Sequence, residues 1–375
     1  MYKRQVRPID CNRPEYEAEM ENLGITVLSY DPDLNMYYVD ITPFQAENLS
    51  QTWWVQSIAF IQPVEKEDVR EEEIPEKFLP QDSRALCSAF AIWPHRTGLG
   101  ITLGVYDGAP WSGHPDFPSG TFAPGSDTGQ DDHGTHVAGI IAARNSGSVD
   151  ISGVYDCQGM APSATLYTVD LDDPNITYIE AFNRFRDNGI VASNHSWGFT
   201  YDPYSYDSRT ETIDGYADNE DFTIVVAAGN DGPGSGTITN PGTGKNVITV
   251  GAIRYVTDDD IPDRELGGVA EYSSRGPAQG RLKPDLVAPG GQTLFDYWYY
   301  KYGVVSLDEF PSGNTDDEAW PESSNYVRMS GTSMAAPHVT GVVGLMLDNA
   351  NASGYAIDNE SIKACLLYTS PSPRD

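Results

Sequence analysis

The most informative segment of the chain is Met329-Ser-Gly-Thr-Ser-Met-Ala-Ala-Pro-His-Val-Thr-Gly341. Gly331 allows a tight turn, and a helix is predicted to begin at Ser333. The positive end of the helix dipole favours negative charge that develops at such a position. A serine hydroxyl is a weak nucleophile unless a base removes its proton, so a catalytic Ser333 needs partners elsewhere in the chain.

Two further segments supply a base and a group that orients it. An apolar strand-like run ends in Val105-Tyr-Asp-Gly108, and Asp131-Asp-His-Gly-Thr-His-Val-Ala-Gly139 opens a predicted helix. A carboxylate that closes an apolar strand is partly buried, where it can hold a histidine tautomer and stabilise its cation. The sequence therefore predicts Asp107 as the orienting acid, His133 as the general base and Ser333 as the nucleophile.

Acyl transfer also needs hydrogen-bond donors aimed at the oxyanion of the tetrahedral intermediate. In Val225-Val-Ala-Ala-Gly-Asn-Asp-Gly-Pro233, Asn230 lies on a glycine-bounded turn after an apolar strand. The side-chain amide of Asn230 and the backbone N–H of Ser333 are predicted to be these donors.

The fold is predicted from the alternation of short apolar runs and helical segments after about residue 81. The predicted strands are 101–106, 164–169, 190–194, 223–227 and 247–250. The predicted helices between them are 136–144, 178–188 and 210–219. Near-continuous apolar strands that alternate with helices indicate a parallel sheet covered on both faces.

Taken together, these segments resemble the subtilisin-like serine proteases (subtilases, peptidase S8). The Asp, His, Asn and Ser segments match that family in order, and so do 159–163, 273–277 and 283–290. The resemblance runs from about Ala91 to Ala364. It implies an α/β subtilisin-like three-layer fold, with a mostly parallel central sheet and helices on both faces. It also implies a serine endopeptidase that acts on protein or peptide substrates through an acyl-enzyme.

The resemblance implies substrate-binding residues as well. Ser196, Trp197 and Gly198 match the strand that pairs with the substrate backbone and forms a wall of the P1 pocket, and Asp231 matches a position at the pocket rim. Strand addition of this kind gives affinity through main-chain bonds and specificity through side-chain pockets.

A narrower resemblance is to the oxidatively stable alkaline protease subfamily, carried by the segments 194–198, 204–230 and 236–251. Members of that subfamily have a β-sandwich domain after the catalytic one. One departure is Tyr106-Asp-Gly-Ala-Pro110, where many subtilases have Asp-Thr-Gly. The aspartate is retained, so the departure does not remove a predicted catalytic group.

Composition excludes several classes of function. The chain has 375 residues with 23 Lys and Arg against 55 Asp and Glu, a net charge of -32. Such a protein is not expected to bind nucleic acid, which requires cations against phosphates. No run approaches the roughly 18 apolar residues of a membrane span. The acidic surface suits an extracellular, secreted protein, with adaptation to saline water as an alternative, although no signal peptide is visible in this fragment.

Three parts are expected along the chain. Residues 6–80 form a propeptide-like α/β segment followed by an acidic linker at 65–76. Residues 81–364 form the subtilisin-like peptidase domain, expected to be truncated at its C-terminal end, and residues 365–375 are expected to be a non-native tail. Both ends, 1–5 and 365–375, resemble translated sequencing-adaptor remnants. The resemblance implies that the N-terminal segment is an intramolecular inhibitor.

No cofactor is required for chemistry by an Asp-His-Ser triad. The family often binds structural calcium through oxygen-rich loops, and the acidic run Asp258–Asp263 is either such a loop or an ordinary solvated one. Metal-binding residues therefore remain unassigned. The pairing of Cys11, Cys87, Cys157 and Cys365 is also left open, because their spacing forms no recognisable pattern.

Two alternatives remain for the function. A homologue that binds peptides without cutting them would need a damaged motif, and none is found. Residues 14–64 are either a propeptide or a permanent protein-interaction module. His136 and His338 are predicted to be buried structural histidines, whereas His195 beside the substrate strand is ambiguous.

Overall fold

The structure is a computed structural model, which describes residues 2–8, 14–31, 36–42, 45, 49, 55–60, 83, 87, 95–144, 158–254, 268–291, 303–308 and 326–369. The chain divides into two compact units, Met1–Ile74 and Pro75–Asp375. The division falls close to the predicted boundary between residues 80 and 81. The predicted linker at 65–76 and the acidic run 258–263 lie outside the described residues.

The first unit contains a four-stranded antiparallel sheet in the order β2-β3-β1-β4. Its elements are β1 (Tyr2–Pro8), α1 (Pro14–Asn22), β2 (Thr26–Asp31), β3 (Met36–Ile41) and β4 (Val55–Phe60). Tyr16 and Met20 share a face of α1 because they are four residues apart. They are buried in one cluster with the alternate residues Tyr37, Val39 and Ile41 of β3.

The start of the chain differs from the expectation that residues 1–5 lie outside the fold. Strand β1 begins at Tyr2 and pairs with both β3 and β4, so that Gln5 lies opposite Tyr38 on one side and Ala59 on the other. The side-chain pattern of these residues gives no sign of a strand. The pairing uses backbone N–H and C=O groups, which every residue except proline supplies.

The second unit is built on a six-stranded sheet in the order β10-β9-β8-β7-β5-β6, in which all the strand pairs are parallel. Its strands are β5 (Thr102–Asp107), β6 (Thr165–Asp170), β7 (Ala192–His195), β8 (Thr223–Ala227), β9 (Ile248–Ile253) and β10 (Leu286–Pro289). The antiparallel pair β11 (Val304–Leu307) and β12 (Tyr326–Met329) lies outside this sheet. All five predicted strands are present, but β10 was not predicted as a strand.

Helices cover both faces of the sheet. They are α2 (Asp132–Ala142), α3 (Tyr178–Asp187), α4 (Ser208–Asn219), α5 (Thr332–Ser353) and α6 (Asn359–Thr369). In β8, Val225 belongs to the core cluster that contains α2, α5 and α6, whereas Ile224 and Val226 belong to the cluster that contains α3 and α4. Successive strand residues face opposite sides of a sheet, so the predicted three-layer α/β fold is confirmed.

The last helix crosses the position where the native sequence was expected to give way to a non-native tail. Helix α6 runs through residue 364 to Thr369 without interruption. Ile362 and Leu366, one turn apart, are both buried in the same core cluster as α5. Residues 365–369 are therefore part of the packed domain in this structure. The adaptor-like origin assigned to 365–375 stays a prediction.

None of the helices in the described part of the chain has the length and apolar character required to cross a membrane.

Candidate active site

The predicted catalytic residues lie at one edge of the parallel sheet. Asp107 is the last residue of β5, Ser196 follows β7 directly, and Asn230 lies three residues after β8. The carboxyl ends of parallel strands meet at the same edge, where α/β proteins bind their ligands. Helix α5, which begins at Thr332 and carries Ser333 in its first turn, contacts this edge through hydrogen bonds to Ser196 and Asn230.

Asp107 and His133 form a hydrogen-bonded pair. Asp107 is 3% exposed, and its Oδ1 accepts the backbone N–H of Gly108 at 2.9 Å and lies 2.7 Å from Nδ1 of His133. The side chain of His133, in the first turn of α2, is 37% exposed. An ionised carboxylate only accepts hydrogen bonds, so Nδ1 carries the proton. Nε2 is then the nitrogen that can accept a proton from a nucleophile.

The charges around His133 favour its protonated form. Burial of the ring opposes the charge, but the carboxylate of Asp107 with its hydrogen bond, together with Asp131 and Asp132, raises the pKa of His133 to about 9. A general base becomes a cation when it takes the proton of the nucleophile. These surroundings would therefore stabilise the cation that His133 becomes if it acts as a general base.

Ser333 is held against the end of β7 by a reciprocal pair of hydrogen bonds. Its Oγ donates to the carbonyl oxygen of Ser196 at 3.0 Å, and Oγ of Ser196 donates to the carbonyl oxygen of Ser333 at 2.7 Å. Asn194 extends this chain by donating to Oγ of Ser196 at 2.9 Å. A role of Ser333 as a nucleophile would require its hydroxyl to leave Ser196 and turn towards a base. Catalytic hydrogen bonds of this kind often tighten only when substrate binds.

Asn230 is oriented by Thr332, a residue for which no role was predicted from the sequence. Oδ1 of Asn230 accepts the backbone N–H of Thr332 at 2.9 Å and its hydroxyl at 3.0 Å. The Thr332 hydroxyl in turn accepts the N–H of Gly229 at 3.1 Å. Because the amide oxygen is occupied, the Nδ2 group of Asn230 is the part available to an oxyanion. Thr332 directly precedes Ser333 in the sequence, which is the signal that could have identified it.

A cavity of about 430 Å³ lies beside Ser333. It is lined by Ser196, Trp197, Gly198, Phe199, Thr200, Pro203, Ala227, Gly229, Asn230, Asp231, Thr239, Thr332 and Ser333. A Cβ at Gly229, whose φ is +102°, would lie 2.1 Å from Oγ1 of Thr239, and one at Gly198 would lie 2.5 Å from Cγ2 of Thr239. Side chains at these two positions would collide with Thr239, so both glycines keep the cavity open.

The four predicted substrate-binding residues all line this cavity, but they differ in what their side chains do. The hydroxyl of Ser196 is committed to Ser333, and the residue is only 4% exposed, so its role towards a substrate would be through the backbone. Trp197 packs edge-on against Tyr106, with ring centroids 5.4 Å apart. Asp231 accepts the hydroxyl of Tyr204 at 3.2 Å and is the one ionisable side chain among the described residues of the lining.

Three other histidines, His136, His195 and His338, are buried among structural partners. His136 is fully buried with Nε2 2.9 Å from the carbonyl oxygen of Val304, and burial lowers the pKa of His136 to about 3. Nδ1 of His338 is 2.8 Å from the carbonyl oxygen of Met334. His195 is buried, stacked on Phe182 with ring centroids 5.0 Å apart. The structural assignment of His136 and His338 is confirmed, and His195 belongs with them.

Among the described residues, the group of His, Cys, Asp and Glu side chains compact enough to hold an ion consists of Asp107, Asp131 and His133. Asp107 and His133 are hydrogen-bonded to each other at 2.7 Å, so the two facing atoms of this group already have a partner. Calcium also prefers oxygen ligands over a ring nitrogen. Structural calcium therefore stays a prediction.

A hydrogen-bonded Asp–His pair, a serine at a helix start and an oriented amide lie at the edge of a covered parallel sheet, an arrangement typical of serine hydrolases. The chain belongs to the Subtilase family, whose sequence model matches residues 100–374. It is 32% identical over 279 residues to the serine protease AprX of Bacillus subtilis, covering 67% of this chain and 58% of that protein. It is 31% identical over 260 residues to Subtilisin Savinase of Lederbergia lenta, covering 67% of this chain and 77% of that protein.

The structural comparison agrees with the sequence comparison. The fold matches the structure of Sphericase with a TM-score of 0.53 and 26% identity, covering 75% of this chain and 88% of that one. The chain spans little more than half the length of AprX, the first of the two relatives named above.

Proposed function

We propose that this chain is a serine endopeptidase that hydrolyses peptide bonds in proteins through an acyl-enzyme. The observation that carries the proposal is the 2.7 Å bond between Asp107 and His133 at the sheet edge that also holds Ser333 and Asn230. Membership of the Subtilase family supports it independently.

In the proposed reaction, Oγ of Ser333 attacks the carbonyl carbon of the scissile bond while Nε2 of His133 takes its proton. The Ser333 N–H and Nδ2 of Asn230 donate hydrogen bonds to the oxyanion. The protonated His133 then gives its proton to the leaving amine, and the C–N bond breaks to leave an ester on Ser333. A water molecule, deprotonated by the same ring, hydrolyses the ester and restores the enzyme.

The oxyanion role of Asn230 is tested by two substitutions. Asn230→Ala should lower kcat about 10²–10³-fold with little change in KM, because one donor to the transition state is lost. Asn230→Asp keeps an oxygen to accept the Thr332 N–H but presents a negative charge to the oxyanion, so its kcat should be lower still. Steady-state kinetics on one peptide substrate measures both. Near-normal turnover in either variant would show that the donor is misassigned.

We infer a mild preference for basic residues at P1. Asp231 is the charged residue of the cavity lining, and the net charge of -32 attracts cationic substrates. Profiling with a peptide library at low and high salt should show the preference, and it should weaken in Asp231→Asn and at high salt, where surface charges are screened. An equal preference for Phe or Leu at both salt concentrations would exclude the idea.

We further propose that the N-terminal segment is an intramolecular inhibitor that the enzyme removes itself. The surroundings of Ser83 limit where this self-cleavage can occur. It is 7% exposed, and its Oγ lies 2.7 Å from Nε2 of His338 in helix α5, so it belongs to the packed peptidase unit. The cut, expected between Val64 and Ala85, therefore falls before Ser83.

Parallel expression of wild type and Ser333→Ala, followed by intact mass and N-terminal sequencing, tests this proposal. The wild type should be shortened, with a new terminus before Ser83, and the variant should stay full length. If both remain full length while the wild type is active, residues 14–64 are a permanent module.

Three finer features belong to the same proposal. Secretion fits the acidic composition and can be tested by locating the protein in the medium of its natural host. The oxidatively stable alkaline protease subfamily remains the proposed subfamily. Calcium remains a proposed structural ion, which a melting curve with and without a chelator would reveal.

A further inference from the structure

Asp131 is fixed in space by both its backbone and its side chain. Its N–H donates to the carbonyl oxygen of Ala109, in the segment that follows β5, at 3.0 Å. Its Oδ1 accepts the N–H of Gly134 at 2.6 Å, so the carboxylate caps helix α2. The same residue thus attaches the start of α2 to the chain that leaves the end of β5.

Two glycines let this carboxylate come close to the catalytic pair. A Cβ at Gly108 would lie 2.1 Å from Oδ1 of Asp131, and a Cβ at Gly134 would lie 1.9 Å from the carbonyl oxygen of Gly108. Neither position has space for a side chain. As a result, one carboxylate oxygen each of Asp107 and Asp131 and one ring nitrogen of His133 all lie within 4.8 Å of one another.

Among the described residues, the acidic groups that act on His133 come from two elements. Asp107 lies at the end of β5, and Asp131 and Asp132 lie at the start of α2. One turn further along α2 is His136, which burial keeps neutral. Asp132 accepts the backbone N–H of His133 but is exposed, where solvent screens its charge. Asp131 is the half-buried one of the two.

We propose that Asp131 is a second carboxylate of the catalytic centre, which acts with Asp107 to position His133 and to stabilise its protonated ring during the reaction. Asp107 does so by a direct hydrogen bond, and Asp131 does so through space and by holding the start of α2. Asp131 is therefore a positioning residue and transfers no proton. The proposal rests on the proposed Asp-His-Ser mechanism.

The substitution Asp131→Asn isolates the charge. Asparagine caps helices as well as aspartate does, so the start of α2 should keep its geometry. A negative charge within about 4–6 Å raises the pKa of a histidine. Removal of the Asp131 charge should therefore move the acid limb of the kcat/KM profile about one pH unit lower. The exposed Asp132 offers a matched control, and Asp132→Asn should move the limb less. Asp131→Ala, which loses the cap as well, should also melt at a lower temperature.

A titration that needs no activity separates this inference from the proposed mechanism. In Ser333→Ala, the ring protons of His133 can be followed by NMR against pH, with and without Asp131→Asn. We expect the midpoint near pH 9 to fall by about one pH unit in the double variant. An unchanged midpoint in a folded double variant would overturn the role of Asp131. Full activity in Ser333→Ala would instead overturn the mechanism.

Discussion

Ser333→Ala is expected to lose on the order of 10⁶-fold in kcat, the loss established for subtilisin when its nucleophile is removed rather than a figure derived from this geometry. Among the described residues that line the cavity, Ser333 is the hydroxyl at the start of helix α5 that the mechanism uses to form the ester. The alanine should be well tolerated structurally, because the Ser196 hydroxyl would still donate to the carbonyl oxygen of residue 333. The measurement is peptide hydrolysis with purified protein.

Ser330→Ala is the matched control for this substitution. Within the described part of the chain, Oγ of Ser330 is buried and has no hydrogen-bond partner. Its removal three residues before the nucleophile should therefore leave turnover close to that of the wild type. Substantial residual hydrolysis in Ser333→Ala, above that of a mock purification, would contradict the assignment of the nucleophile.

Asp107→Asn is expected to lower kcat by about 10⁴-fold near pH 7. The Oδ2 atom of Asp107 is buried and has no hydrogen-bond partner among the described residues, so an amide NH₂ placed there would be unsatisfied. If the side-chain amide is rotated by 180°, its NH₂ faces Nδ1 of His133 and favours the tautomer in which Nδ1 is unprotonated, which is the wrong one for catalysis. In either orientation the charge that contributes most to raising the pKa of His133 is lost, so the acid limb should also move to lower pH.

A buried carboxylate at the other end of α2 provides the control. Asp116 is 1% exposed and accepts the hydroxyl of Tyr326 at 2.7 Å. Its backbone carbonyl oxygen accepts the N–H of Arg144, which lies just beyond the C-terminal end of α2. This end of the helix is about 15 Å from His133 along the helix axis. Asp116→Asn should keep kcat and the pH profile. A similar loss in both variants would mean that Asp107 acts through stability alone.

The fold and the candidate catalytic residues could be predicted from the sequence because each leaves a local pattern. The run 223–227 is strand β8 with the same bounds, since a parallel strand covered on both faces is apolar throughout. Asp107, His133, Asn230 and Ser333 each stand at a strand end or helix start, where such a pattern breaks off. Strand β10 was not recognised because its short apolar run follows Pro284 and ends in Pro289, and proline argues against a strand.

Features that depend on contacts distant in sequence were not accessible. Asp131 comes close to Asp107 and His133 only because Gly108 and Gly134 leave space for it. Nothing in the sequence around either glycine indicates this close approach. The contact between Ser83 and His338 joins residues 255 positions apart. Strand β1 was missed for a related reason, since its pairing rests on the backbone of its neighbours.

The most direct test of Ser333 as the nucleophile is mass spectrometry after treatment with a serine-directed phosphonylating reagent. We expect one adduct on the peptide that contains Ser333, none in Ser333→Ala, and much slower labelling in Asp107→Asn. An adduct on any other residue of the active wild type, or equal labelling of Ser333→Ala, would contradict it.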